Sequence, residues 1–194
     1  PSLVGSEMCI RDRDIIGAKF IREVENGEIV VITDNTIESI KPFSQVKPRP
    51  CIFEYIYFSR PDSIVGGLSV YQCRKAFGKE LAKESFVQAD MVIPVPDSGV
   101  PAAIGYAEKS EIPFETGIIR NHYVGRTFIE PQQSIRAFSV KLKHNANNIL
   151  VDGKKVILVD DSLVRGTTSI KIVRMMRDAA VSYTHLRAHE TRIH

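Results

Sequence analysis

The sequence predicts an α/β fold, a parallel sheet with flanking helices, preceded by a short β-rich segment. Three observations predict it. From residue 90 onward, apolar strand-like runs alternate with helix-forming stretches, which is the rhythm of a parallel sheet. The run VILV at 156–159 is continuously apolar, as expected of a buried strand. Before residue 50, Asn26-Gly27 between apolar-rich runs is a strong hairpin signal.

The elements follow in order. Residues 19–25 and 28–33 read as hairpin arms around Asn26-Gly27, and a second turn at Asp34-Asn35 leads into 36–40. Lys47-Pro-Arg-Pro50 is stiff and basic and reads as a linker or domain boundary. Residues 51–59 (CIFEYIYFS) are aromatic and predict a strand. Residues 69–84 carry helix formers and predict a helix. Residues 90–96 predict a buried strand ending in a turn, 100–109 an Ala-rich helix, and 115–120 a short strand. Residues 121–143 are polar and weakly periodic; loops of that length usually carry function or move. Residues 155–159 predict a strand and 168–179 a helix.

Composition removes several function classes. Hydrophobic residues make up 43%, enough for a core. A net charge of +3, spread along the chain, gives no basic patch for nucleic acid. No apolar run approaches the roughly 20 residues that span a bilayer. Three widely spaced cysteines, Cys9, Cys51 and Cys73, argue against a disulfide framework and for a reducing, cytoplasmic setting.

The two ends read as foreign to the fold. Residues 7–12 (EMCIRD) can be encoded by GAG ATG TGT ATA AGA GAC, whose reverse complement reads VSYTHL, the sequence at 181–186. The match continues outward: SLVGS at 2–6 mirrors RAHET at 187–191. Ends that encode each other's opposite strand resemble a translated sequencing adapter around an insert. The expected organisation is therefore 1–12 and 181–194 non-native, 13–50 a tail and linker, and 51–180 the main domain. Cys9, His185, His189 and His194 leave the candidate list, so the His185-x-x-x-His189 spacing carries no metal argument. His122 and His144 remain as native histidines.

The chemistry is concentrated at 156–169. After the apolar run come Asp160 and Asp161, then Ser162, Arg165 and Gly166, then Thr167, Thr168 and Ser169 at the start of a helix. Glycine permits close approach of backbone to ligand. Free amides and the dipole at a helix start attract phosphate. The hydroxyls add donors, and Arg165 can add charge. Adjacent carboxylates repel phosphate but suit ribose hydroxyls or a Mg²⁺ ion shared with the substrate. The plainer reading is a strand–loop–helix junction capped by Thr168. Neither G-x-x-x-x-G-K-S/T nor G-x-G-x-x-G occurs; Gly78-Lys79 is followed by Glu80.

The string resembles the PRPP-binding signature of type I phosphoribosyltransferases. That resemblance gives Asp160 and Asp161 a ribose and metal role, and Arg165, Gly166, Thr167, Thr168 and Ser169 the 5-phosphate. Three further segments narrow it. CIFEYIYFSRPDS at 51–63, VPDS at 95–98 and NHYVGRTFIEP at 121–131 resemble the amidophosphoribosyltransferase family, a likeness running over residues 14–179. The family implies a β-rich tail of an N-terminal-nucleophile glutaminase domain before residue 50. It implies de novo purine synthesis: glutamine-derived ammonia attacks PRPP, giving 5-phosphoribosylamine with release of pyrophosphate and glutamate.

By the same resemblance, Asp97 and Ser98 sit in the pyrophosphate turn, with Ser98 approaching the metal. Ser98 also reads as a plain turn residue. Arg120, Tyr123 and Arg126 are the catalytic candidates, the cations facing pyrophosphate and Tyr123 lining the ammonia route; a solvated polar loop is their plainer reading. His122 reads as a tolerated loop residue. Cys51 matches one ligand of the [4Fe–4S] cluster of an iron–sulfur branch, although one cysteine cannot hold a cluster. Taken alone, Cys51 reads as a buried core residue, and Cys73 as structural. Purine nucleotides are expected inhibitors, and the parent a homo-oligomer with no membrane or nucleic-acid partner. Residues 14–43 resemble only the tail of the glutaminase domain, so this chain is expected not to use glutamine. A salvage or orotate phosphoribosyltransferase, or a PRPP- or nucleotide-sensing regulator on the same fold, are the competing readings.

Overall fold

The structure is a computed structural model that describes residues 21–44, 46–47, 49, 51–121, 144–163 and 166–191. The chain divides at Pro50 into two compact units, the boundary expected from the Lys47–Pro50 segment.

The first unit contains one antiparallel hairpin, β1 (Ile29–Ile32) with β2 (Ile37–Ile40). The Asp34-Asn35 turn joins these strands, whereas Asn26-Gly27 turns the chain before β1, with Gly27 at φ 77°. This corrects the expectation that 28–33 pairs with 19–25: described residues 21–25 form no strand. Glu28 explains the difference. It receives both Arg22 nitrogens at 2.6 and 2.8 Å, the Glu25 amide at 2.7 Å and the Ser39 hydroxyl. The preceding arm is thus held by a side chain rather than by a ladder.

The second unit is built on a three-stranded parallel sheet in the order β5 (Met91–Pro94), β8 (Lys155–Leu163), β9 (Tyr183–Thr191). A small hairpin, β3 (Ile64–Val65) with β4 (Leu68–Ser69), leads into α1 (Val70–Glu84). Ser69 caps that helix through its hydroxyl, which accepts from the Gln72 amide. α2 (Val100–Ser110) follows β5, a short α3 (Asn148–Val151) precedes β8, and α4 (Thr167–Asp178) follows it.

Side chains alternate across a strand, so β5 and β8 feed two cores. Ile93, Val156 and Leu158 pack with Ile118, Val151, Ile172 and Met176 on one face. Val92, Ile157 and Val159 pack with Ala102, Ala103, Tyr106 and Ala82 on the other. Both faces are covered, which is why these strands read as unbroken apolar runs.

Two expectations are corrected in this unit, and one segment expected to be foreign takes a regular conformation. Residues 51–59 contain a single π-helical turn, Glu54–Phe58, rather than a strand. The buried guanidinium of Arg74 captures the Tyr55 and Ser59 carbonyls, which draws the aromatic segment into a turn against its β propensity. The short strand β6 (Ile118–Arg120) pairs antiparallel with β7 (His144–Ala146) and stays out of the parallel sheet. Residues 183–191, set aside as foreign, form β9 in parallel register with β8, and Val181 and Ala188 are buried. An extended polypeptide alternating apolar and polar residues satisfies the open edge of β8 whatever its origin.

Helices α1 and α2 touch through glycine. A Cβ on Gly78 would lie 1.9 Å from the Ala102 carbonyl oxygen, and one on Gly105 would lie 1.9 Å from that of Lys75. Gly78→Ala should therefore destabilise the chain by about 3 kcal/mol or more in urea denaturation, the upper range for overpacking a tight core. Gly153→Ala, at φ 67° with nothing within 4 Å, should cost only about 1 kcal/mol of backbone strain.

Candidate functional site

The candidate residues converge where β5 and β8 end side by side. Their parallel register places Pro94 opposite Val159. The Val95 amide then donates to the Val159 carbonyl at 2.8 Å, and the Gly99 amide donates back to Val95 at 3.0 Å. Gly99 is buried so tightly that a Cβ would stand 2.3 Å from the Val159 oxygen. The turn carrying Asp97 and Ser98 is therefore laid directly against the residue that precedes Asp160. Asp97 is exposed and Ser98 half-buried, and the Pro96–Asp97 peptide is cis.

Asp160 and Asp161 lie inside β8, which runs on to Leu163, rather than beyond its end as expected. Their carboxyls lie close enough to act on each other, through a side-chain hydrogen bond and through charge. Asp160 is buried, and its Oδ1 accepts the Asp161 amide at 2.9 Å; Asp161 accepts the Ser162 hydroxyl at 3.0 Å. Burial, followed by the neighbouring Asp161 charge, pushes the Asp160 carboxyl up to about 7.

After β8, Gly166 stands at the N-terminal boundary of α4 with φ 69° and no side-chain cap. This corrects the plainer reading of Thr168 as the cap: Thr167 and Thr168 are exposed within the first turn, and Ser169 is buried. The first amides of α4 lack intrahelical partners by helix geometry and so remain available to an anion. Arg165 lies outside the described residues, as do His122, Tyr123 and Arg126.

Arg120, at the end of β6, forms an ion pair with Asp97, and its Nε is buried with no partner among the described residues. Arg120 is thus held beside the 95–98 turn. Cys51 is exposed, which corrects its reading as a core residue, and Cys73 is half-buried. Both are free thiols. A [4Fe–4S] cluster takes four cysteines, and the chain has three, so its residues do not fit that cofactor by themselves. Among the described residues, no group of three or more His, Cys, Asp or Glu is arranged to hold a metal ion.

Sequence reasoning missed Arg74. It is 2% exposed on α1, and donates to the Tyr55 carbonyl at 2.8 Å and to the Ser59 carbonyl at 2.7 Å. Burial lowers its pKa, and the Asp161 charge opposes that shift. The available signal was its spacing: Val70, Arg74, Gly78 and Ala82 form one buried i, i+4 stripe.

Residues 69–188 match the phosphoribosyl transferase domain. The chain belongs to that family. The matched range begins at the cap of α1 and ends within β9. Among curated relatives, an amidophosphoribosyltransferase of Rhizobium etli is 60% identical over 187 residues, covering 94% of this chain and 37% of that protein. The amidophosphoribosyltransferase of Bacillus subtilis is 49% identical over 185 residues, covering 95% and 38%. A solved structure described as glutamine phosphoribosylpyrophosphate amidotransferase from B. subtilis complexed with ADP and GMP superposes with a TM-score of 0.80 at 49% identity, covering 91% of this chain and 39% of that one. The chain thus spans well under half the length of the relatives it matches.

The Asp160 shift has a definite sign. The folded chain holds this proton more tightly than the unfolded chain, whose aspartates titrate near pH 4 (about 3.9). The associated stability is present below that value and is lost as pH rises through about 7. Without divalent cation, the denaturation midpoint should fall between about pH 4 and pH 7. Asp160→Asn should flatten that slope.

Proposed function

We propose that the chain is the phosphoribosyl-binding part of an amidophosphoribosyltransferase. The carrying observation is 60% identity to the R. etli enzyme over 94% of the chain. The 95–98 turn laid against the strand of the acidic pair, and the uncapped helix start that follows that strand in sequence, support it. The reaction joins ammonia, released from glutamine elsewhere in the full-length protein, to the anomeric carbon of PRPP. The C–N bond forms as the C–O bond to pyrophosphate breaks, and 5-phosphoribosylamine results.

In this reading the first turn of α4, with Gly166, Thr167, Thr168 and Ser169, holds the 5-phosphate by amides and hydroxyls, and Arg165 adds charge. Asp160 and Asp161 address the ribose hydroxyls. The same carboxylates suit Mg²⁺, which takes one or two carboxylates and completes its shell with water and substrate phosphates. When bound, Mg²⁺ supplies charge neutralisation to the leaving pyrophosphate. Ser98 and the backbone of the 95–98 turn face that pyrophosphate, and Arg120 exchanges Asp97 for its oxygens. Tyr123 lines the ammonia route and Arg126 adds a second cation. Positioning and charge neutralisation carry the chemistry, with little demand for a dedicated acid or base. A salvage or orotate phosphoribosyltransferase would use a purine or orotate as nucleophile; the 14–43 segment and the Tyr123-Val-Gly-Arg126 sequence favour ammonia.

Cys51, exposed at the start of the second unit, is suited to join a [4Fe–4S] cluster only with cysteines from outside this chain. Purine nucleotides as inhibitors, a homo-oligomeric parent and a reducing cytoplasmic location belong to the same reading. The relative complexed with ADP and GMP supports the first of these.

We also propose that 1–12 and 181–194 are adapter-derived. The mirrored coding of the two ends supports this. The uninterrupted gene should carry a different sequence from codon 181 onward; finding VSYTHLRAHET there would refute the assignment.

Saturating PRPP with Mg²⁺ should raise the stability of the chain, by about 2.7 kcal/mol at 100 times Kd, in a thermal-shift titration. Asp161→Asn should weaken that binding by at least about tenfold, the loss of a charge-assisted contact. In the full-length enzyme, ammonia should release pyrophosphate from PRPP, whereas adenine, hypoxanthine and orotate should not.

A further inference from the structure

β6 and β7 form a two-stranded neck from which the 121–143 segment departs and to which it returns. At the open end of that neck, Arg120 and His144 are direct register partners. Both reach the same peptide. Arg120 pairs with the Asp97 carboxylate. His144, 8% exposed, places Nε2 at 3.3 Å from the Pro96 carbonyl oxygen. A carbonyl only accepts, so His144 donates through a protonated Nε2. On the opposite side, the same turn is fixed to β8 by the Val95 amide and by the close contact of Gly99 with Val159.

We propose that His144 is a positioning residue that holds the Pro96–Asp97 turn in place for a metal-bound diphosphate. The inference rests on the reading of 95–98 as the pyrophosphate turn. The two neck contacts differ in kind. The Arg120–Asp97 pair is partly exposed and ionic, so diphosphate oxygens compete for the guanidinium and displace Asp97. The His144 contact is buried and joins a ring N–H to a backbone carbonyl, so it is shielded from an incoming anion in a way that the partly exposed guanidinium is not. His144 therefore keeps the turn seated while Arg120 changes partners. Without it, the turn would lose the one of these two contacts that the ligand leaves in place.

The test uses His144→Leu, which removes the donor, and His144→Gln, whose amide nitrogen can replace Nε2. Hydrogen exchange on the 194-residue chain reads the amides of 95–99 against those of 156–159 in β8. Isothermal titration with Mg²⁺ and inorganic pyrophosphate reads the ligand. His144→Leu should accelerate exchange at 95–99 and weaken pyrophosphate binding by about three- to tenfold, the range for one lost hydrogen bond. The β8 amides should be unchanged, and His144→Gln should stay near the parent chain. Equal loss in both variants, loss spreading to 156–159, or a chain with no protection in β8 would overturn the proposal. So would a silent His144→Leu. If His144 governs exchange at 95–99 but the parent chain does not bind Mg²⁺–pyrophosphate, the positioning contact stands and the pyrophosphate reading falls.

Discussion

The Val159 carbonyl is the point on which the site depends. It accepts the Val95 amide and sits against a glycine that has no room for a side chain. That one approach joins the end of β5 to the end of β8. It sets the 95–98 turn beside Asp160 and fixes the distance between the groups expected to face pyrophosphate and those expected to face ribose. Parallel pairing from Met91 with Val156 to Pro94 with Val159 supplies the alignment, and the two apolar cores keep both strands from sliding. A ligand that bridges two strand ends needs this rigidity, because small displacements of reacting groups are costly.

The electrostatics around this point are arranged in opposition. Asp160 is buried and resists ionisation, while the neighbouring Asp161 shares its field with the buried Arg74. Arg74 in turn spends its hydrogen bonds on the backbone of the Glu54–Phe58 turn. One guanidinium thus shapes the entry of the second unit and places positive charge near the acidic pair. Arg120 plays the corresponding part for Asp97 across the turn. In both cases an arginine answers a carboxylate.

Much of the fold and of the candidate site was legible in the sequence. The 156–169 string located the acidic pair, the glycine and the hydroxyl-rich helix start, because each residue type there has a local chemical use. α1, α2, β5 and β8 follow from apolar runs and helix formers. The misreadings share one cause. Residues 51–59 turn into a π-helical segment because Arg74, 15 to 23 residues away, takes their carbonyls. Residues 28–33 pair forward with 37–40 because Glu28 ties the backward arm through side chains. Arg74 lies outside a local window, and the Arg22–Glu28 pairing, although local, is a side-chain contact that backbone propensity does not register.

The sequence by itself determined the residue chemistry of this protein: a buried strand, two carboxylates, a glycine at positive φ and a polar helix start, all contiguous and so readable from local rules. It also carried the mirrored ends, a property of codons that coordinates cannot express. Only the tertiary structure decided which distant residues meet that string. Gly99 against Val159, Arg120 and His144 on the Pro96–Asp97 turn, and Arg74 beneath the aromatic segment are contacts between residues far apart in the chain. Their existence follows from sheet register and helix packing, which no local pattern encodes.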